Sequence, residues 1–394
     1  MKMAQKVLQI SPAYYPAISI GGPIFTNLTF SKGLLSLGCK VEVLTTTQGL
    51  TDEQMQEIDL ENPNHADFEY PIHRFRYYGY SHFTFSPGLF FWLLRNIKRF
   101  DLVAFQAVWN FPIWAGFLLC KWANKPYLVI PHGSLYPETV GLKSSLKKKL
   151  FLRLYVRKML KHAHRVLFST EHEQDKVLSY LMVDARSAIL PNIIDLEPFA
   201  VLPEKGNFRR KHSIETGTPI LAHFGRISLK KGIRFVLEIM PDLIQVHPNL
   251  LYVIAGGDEE GYSAELKRLI NELGISKHIM FTGLLNQSEG IELLRDADVF
   301  VLPSLSENFG MSVVEAMLCE TAVVVSDQVG ISSELAAAKC ALITSNNDSL
   351  KDAVLELLEN ESRRKVLGIK GANFAKEHYS FEVLRERMRS YLLV

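Results

Sequence analysis

Short apolar runs alternate with amphipathic helical stretches along the whole chain, and that repeat limits the fold more than any other feature. Residues 6–10, 41–45, 102–106, 127–130, 165–169 and 188–190 read as one set of strands. Residues 219–224, 251–255, 279–282, 299–302 and 322–326 read as a second set. Their near-continuous Val, Ile and Leu content suits strands covered by helices on both faces, which means parallel sheets. Right-handed strand–helix–strand units follow, and with them two doubly wound, Rossmann-like α/β domains. A length of 394 residues agrees, being more than one core commonly organises. Pro191, Pro198, Pro203, Gly206 and a basic cluster break the pattern before Gly217. The expected division is therefore a first domain over residues 1–195 and a second over 196–380.

Composition removes several function classes. A hydrophobic share of 47% with 22% charged residues describes a soluble globular enzyme, not a disordered chain. The net charge of +2 hides an asymmetry: residues 1–200 carry 22 Lys and Arg against 16 Asp and Glu, the remainder 22 against 26. The first half should face the more anionic partner. Cys39, Cys120, Cys319 and Cys340 form no Cys-x-x-Cys pair, so neither a zinc site nor a disulfide framework is expected, and a reducing cytosol is. Residues 1–10 do not read as a signal peptide, and the longest apolar stretch, near 111–120, is about half a membrane span. The location expected is cytoplasmic.

The densest chemistry lies in Pro303-Ser304-Leu305-Ser306-Glu307-Asn308-Phe309-Gly310-Met311-Ser312-Val313-Val314-Glu315-Ala316. A buried strand stops at Pro303, a polar loop follows, and a helix starts near Gly310. Glu307 falls in the loop and Glu315 on the second helical turn, both at the carboxyl edge of the sheet beside unsatisfied backbone N–H groups. Carboxylates accept from hydroxyls and a helix N-terminus attracts negative charge, so a ligand rich in hydroxyls and also anionic suits this site. A nucleotide sugar has both features. In Phe224-Gly225-Arg226-Ile227-Ser228-Leu229-Lys230-Lys231-Gly232, Gly225 and Gly232 allow close approach, and Arg226 and Lys231 supply the charge a diphosphate needs. Gly21 and Gly22 stand between the first strand and its helix. His132, in Pro131-His132-Gly133, ends a buried strand. Ala255-Gly256-Gly257-Asp258 is not a dinucleotide fingerprint, which argues against such a cofactor. Tyr14, Tyr15, Trp109, Asn110 and Tyr136 suit stacking on a sugar or a lipid, or else belong to the core.

The Glu-x7-Glu arrangement enclosing Asn-Phe-Gly resembles family 4 of the retaining glycosyltransferases, which adopt the GT-B fold, two Rossmann-like domains facing each other across a cleft. The resemblance is dense over residues 219–330 and sparser before 200. It implies that Glu307, with the backbone of Asn308, Phe309, Gly310 and Met311, holds the transferred sugar and that Glu315 holds the ribose. Arg226 and Lys231 would bind the diphosphate and stabilise the leaving group. Gly21 and Gly22 would approach the donor phosphate, and backbone near Thr282-Gly283-Leu284 would meet the base. His132 would stand near the sugar's C6 hydroxyl and the reaction centre. Pro191-Asn192-Ile193-Ile194-Asp195 resembles the family's interdomain element, with Ile193 where Gly is commoner, and residues 381–394 would pack back on the first domain.

The activity implied is transfer of a hexose from a UDP- or GDP-sugar, UDP-glucose first, to a sugar or lipid-linked acceptor in surface polysaccharide or glycolipid synthesis. No cofactor is implied and no metal, since the two cations replace one. Between Gly141 and Arg165 stand nine Lys and Arg and no acid, with Leu142, Leu146, Leu150 and Leu154 every four positions. This reads as an amphipathic basic helix over 143–165, able to lie on an anionic membrane surface or else to pack on the core with a solvated basic face. Nucleic acid is not expected as a partner, because no recognised module is present. A nucleotide-sugar epimerase of related fold and a non-catalytic nucleotide-sugar-binding protein remain the alternatives.

Overall fold

The computed structural model describes residues 5–64, 68–137, 150–258 and 261–392. Two separate parallel sheets organise them. The first contains β1 (Lys6–Ile10), β2 (Lys40–Thr46), β3 (Ile72–Phe75), β4 (Leu102–Phe105), β5 (Tyr127–Val129), β6 (Arg165–Phe168) and β7 (Ser187–Ile189), in the order β3-β2-β1-β4-β5-β6-β7. The second contains β8 (Ile220–Phe224), β9 (Leu251–Ala255), β10 (Ile279–Gly283), β11 (Val299–Leu302), β12 (Ala322–Ser326) and β13 (Leu342–Thr344), in the order β10-β9-β8-β11-β12-β13. Each order reverses once, between β1 and β4 and between β8 and β11. Loops at the carboxyl ends of those strands splay apart there and leave room for a ligand.

Burial on both faces explains the continuous apolar runs. Leu8, Ile10, Phe105, Val129 and Val166 pack into one layer of the first unit, and Val7, Val43, Leu102, Leu128 and Leu167 into the opposite one. In the second unit Leu221, Tyr252, Ile254, Val299, Val301 and Val324 share a core. The edge strands β3 and β13 were not expected from the sequence. β3 reads Ile-His-Arg-Phe, and Arg74 turns inward, its Nη2 donating to Tyr15 O at 2.6 Å. An inward charge is a common way to blunt a sheet edge against further pairing, and it hides the strand's apolar pattern.

The chain divides into two compact units: Met1–Ile194 with Phe381–Val394, and Asp195–Ser380. The helix Phe381–Leu392 sets Met388 and Leu392 into the layer containing Leu34 and Val41, and Tyr391 Oη donates to Ile189 O at 3.2 Å. Those contacts tie the last helix to the first sheet.

The basic stretch is not one continuous helix up to Arg165. Residues 143–149 lie outside the described residues. A wide π-type turn, Leu152–Val156, leads into the helix Arg157–His162, and Arg165 already belongs to β6. Leu152, Tyr155, Val156, Met159 and Leu160 form the buried face, whereas Leu150 and Leu154 are 56% and 54% exposed. Of the spaced leucines, Leu150 and Leu154 therefore face outward.

Candidate active site

In the second unit, β8 ends at Phe224 and the chain passes through Gly225 and Arg226 into the short turn Leu229–Lys231. Gly225 N donates to Ala255 O and Ile227 N to Gly257 O, both at 2.9 Å, so this loop is stitched to the one after β9. The packing tolerates no side chain: a Cβ on Gly256 would lie 1.8 Å from Gly225 O. Gly232 has φ 70°, and a Cβ there would lie 1.9 Å from Pro303 O. Glycine is what lets the loop after β8 touch the loop after β11, across the reversal point of the strand order.

The loop after β11 is fixed by its own backbone. Leu305 N donates to Lys230 O at 2.8 Å, Glu307 N to Gln328 O at 3.1 Å, and Gly330 N to Glu307 O at 2.9 Å. The Glu307 carboxylate forms an ion pair with the Lys231 ammonium, both half-buried. Gly310 at φ 93° opens the helix Met311–Leu318, which sets Glu315 on its second turn. Burial pushes the Glu315 carboxyl up to about 7, and Lys231 pulls it back in the opposite direction. Glu307, Glu315 and Lys231 thus converge, with Arg226 exposed on the same loop as Lys231.

Phe309, Leu284 and Asp258 stand around these loops. Phe309 is a core residue whose ring packs edge-on against Tyr379 at 5.1 Å between centroids, so only its backbone faces the loop. Leu284 is 80% exposed beside Gly257. Asp258 spends its carboxylate on Tyr262 N and Ser263 N, each at 2.9 Å, at the start of the helix Ser263–Glu272.

In the first unit Gly21 (φ 90°) caps the helix Gly22–Ser36, and a Cβ on Gly22 would meet nothing within 4 Å. His132 (φ 49°) and Gly133 (φ 71°) form a left-handed turn after β5. His132 Nε2 lies 2.9 Å from Gln106 Oε1, at the end of β4. Burial lowers the imidazole to about 4, so at neutral pH it is an uncharged hydrogen-bonding group. It borders a cavity of about 20 Å³ together with Thr26, Gln106 and Asn192. Of the aromatic residues, Tyr14 is a core residue bonded to Ser31 and Tyr70 at 2.8 Å each, and Tyr136 is also buried. Trp109 Nε1 donates to Ser134 O at 2.8 Å, and Asn110 Nδ2 to His82 O at 2.9 Å.

Three residues near these loops were not anticipated. Gln106 is a polar residue closing an apolar run, a signal the sequence did offer. Glu173 stands three residues after the cap Thr170, again a readable pattern, but its long-range contact is not. His223, on β8 beneath Gly225, is fully buried, with its ring against the backbone of Gly225 and Arg226. Burial, then Lys231, lower its imidazole to about 3. Among the described residues no group of three or more His, Cys, Asp or Glu is placed to hold a metal ion, and no helix is long and apolar enough to cross a membrane.

Comparison with known proteins fits this geometry. The family described as Glycosyl transferases group 1 matches residues 204–374, and Glycosyltransferase Family 4 matches residues 20–198. The chain is 28% identical over 323 residues to N,N'-diacetylbacillosaminyl-diphospho-undecaprenol alpha-1,3-N-acetylgalactosaminyltransferase of Campylobacter jejuni, covering 79% of this chain and 83% of that one. It is 24% identical to GDP-mannose:cellobiosyl-diphosphopolyprenol alpha-mannosyltransferase of Xanthomonas campestris, over 82% of this chain and 78% of the other. Among solved structures, Anabaena HepE in complex with UDP-glucose superposes with a TM-score of 0.78 at 18% identity, covering 98% of this chain and 99% of that one.

Proposed function

The chain belongs to the family 4 glycosyltransferases of group 1, and from that premise we propose that it moves a hexose from a nucleotide diphosphate sugar to a sugar or lipid-linked acceptor with retention at the anomeric carbon. The observation that carries this reading is the convergence of Glu307, Glu315 and Lys231 at the reversal point of the second sheet, with Arg226 on the adjoining loop. Glu315 accepts the ribose hydroxyls. Arg226 and Lys231 receive the diphosphate, which takes Lys231 from Glu307 and frees that carboxylate for the sugar hydroxyls.

The reaction needs little covalent chemistry from the protein. The acceptor oxygen attacks the anomeric carbon from the face of the departing diphosphate. The bond from carbon to phosphate oxygen breaks, and that oxygen takes the acceptor's proton. Arg226 and Lys231 hold the growing negative charge, and the remaining groups position the donor. Two fixed cations do the work a divalent ion would otherwise do, so turnover is metal-independent in this reading.

UDP-glucose is the first donor to test, because it is the sugar nucleotide bound in the Anabaena neighbour. GDP-mannose is the second, because the Xanthomonas relative is named for it. Lipid-linked acceptors in both curated relatives and the exposed Leu150 and Leu154 beside Lys158 and Lys161 support work at an anionic membrane surface. A thermal-shift panel of nucleoside diphosphates and their sugars, followed by product analysis with the best donor, tests the assignment. No stabilisation by any of them would count against it.

A further inference from the structure

Three neighbouring strands of the first unit end in polar residues that are tied together. Gln106 closes β4, the His132-Gly133 turn follows β5, and Ser169 follows β6. Glu173 stands on the first turn of the helix Glu171–Leu181, where its N–H meets the Thr170 cap at 3.1 Å. It is fully buried. One carboxylate oxygen accepts from Ser169 N and Ser169 Oγ at 2.9 Å each, and the other accepts from Gly133 N at 2.6 Å. A buried carboxylate is costly unless donors surround it, and local capping would need only the Ser169 contacts. The bond to Gly133 reaches a different strand end. It falls where the backbone most needs a restraint, because left-handed geometry is strained at a non-glycine residue such as His132 (φ 49°).

We infer that Glu173 is a positioning residue: by gripping the Gly133 N–H it fixes the left-handed His132-Gly133 turn, and so the place of the His132 imidazole against Gln106. The inference rests on the proposed glycosyl transfer for its catalytic consequence, but the grip itself can be measured without turnover. Glu173→Gln keeps the side chain's size while replacing one acceptor oxygen by an NH2 group, so either Gly133 or Ser169 loses its partner.

The test compares the parent protein, Glu173→Gln, His132→Ala and the double variant, all as full chains first shown to be folded by thermal unfolding. Glu173→Gln should lower kcat for transfer about 10- to 100-fold and leave the donor KM within about twofold, because the donor-contacting groups Glu307, Glu315, Arg226 and Lys231 belong to the other unit. In the His132→Ala background the same change should cost nothing further. Independently of activity, the 15N signals of His132, assigned by their loss in His132→Ala, should titrate near pH 4 in the parent and move towards the ordinary value of 6.5 in Glu173→Gln. An equal loss of kcat with and without His132, or an unmoved titration, would overturn the proposal. If His132→Ala turns over at the parent rate, the role of His132 in the reaction falls, while the titration still judges the grip. Should Glu173→Gln not fold, the Gly133 amide of the parent decides: slow hydrogen exchange is expected there, and free exchange would refute the grip.

Discussion

Replacing Glu315 by Gln should stabilise the ligand-free protein at high pH and weaken nucleotide binding in the same stroke. The fold raises this carboxyl from its ordinary 4.5 to about 7, chiefly by burying it. A raised carboxylate holds its proton more tightly folded than unfolded, so its contribution to stability is fully present below pH 4.5. It is lost progressively as pH climbs to about 7. At about 1.36 kcal/mol per pH unit, the ionised carboxylate costs the folded state roughly 3 kcal/mol at pH 8. Glu315→Gln carries no charge and lacks that pH dependence. At pH 4.5 the amide replaces a protonated carboxyl of nearly the same shape, which provides the baseline. Relative to it, the variant's thermal midpoint at pH 8 should exceed the parent's by about 6–12 °C, at roughly 2–4 °C per kcal/mol for a unit of this size. The assay is thermal unfolding of both proteins at half-unit steps from pH 4.5 to 8.5, with nucleoside diphosphate affinity measured alongside. A gap that does not grow between pH 5 and 7.5, or one that grows with the parent ahead, would refute the reasoning.

Arg226→Ala and Lys231→Ala should each lower kcat by about 10²–10³-fold, because each cation meets charge that builds only as the diphosphate departs; steady-state kinetics at the parent rate for both would remove the phosphate assignment. Gly232→Ala should destabilise the second unit by roughly 3 kcal/mol or more, since its Cβ would lie 1.9 Å from Pro303 O at φ 70°; calorimetry showing an unshifted midpoint would contradict that packing. Turnover should persist in a strong chelator, and a complete loss restored by magnesium would show that Arg226 and Lys231 do not suffice. The protein should sediment with anionic vesicles at low salt and release near 0.5 M, where screening falls to about 4 Å; Leu150→Ser with Leu154→Ser should weaken that binding, and equal binding to neutral vesicles would show that charge is not the attraction.

Where burial on both faces wrote itself into the residues, the sequence was readable. Val299-Phe300-Val301-Leu302, closed by Pro303, could hardly be anything but a buried strand, and the position of Glu307 and Glu315 behind it followed from the helix that starts after Gly310. The same reading put Arg226 and Lys231 on the loop after β8, where Lys231 pairs with Glu307. Edge strand β3 was hidden by His73 and Arg74, whose inward turn depends on Tyr15, far away in sequence. Leu150 and Leu154 face outward, a choice between the two readings that a leucine spacing alone leaves open. His223 and Glu173 escaped for another reason. What distinguishes them is complete burial beneath the loop after β8 in one case and a partner on a different strand in the other, and both are properties of the fold.

The central claim is best tested by incubating the full chain with the donor chosen by thermal shift and a sugar or lipid-linked acceptor, then following nucleoside diphosphate release and the product's anomeric signal by NMR. One equivalent of nucleoside diphosphate for each new glycosidic bond, with the donor's anomeric configuration kept, is the predicted result. Inverted configuration, or release of an altered free sugar without any acceptor, would contradict it.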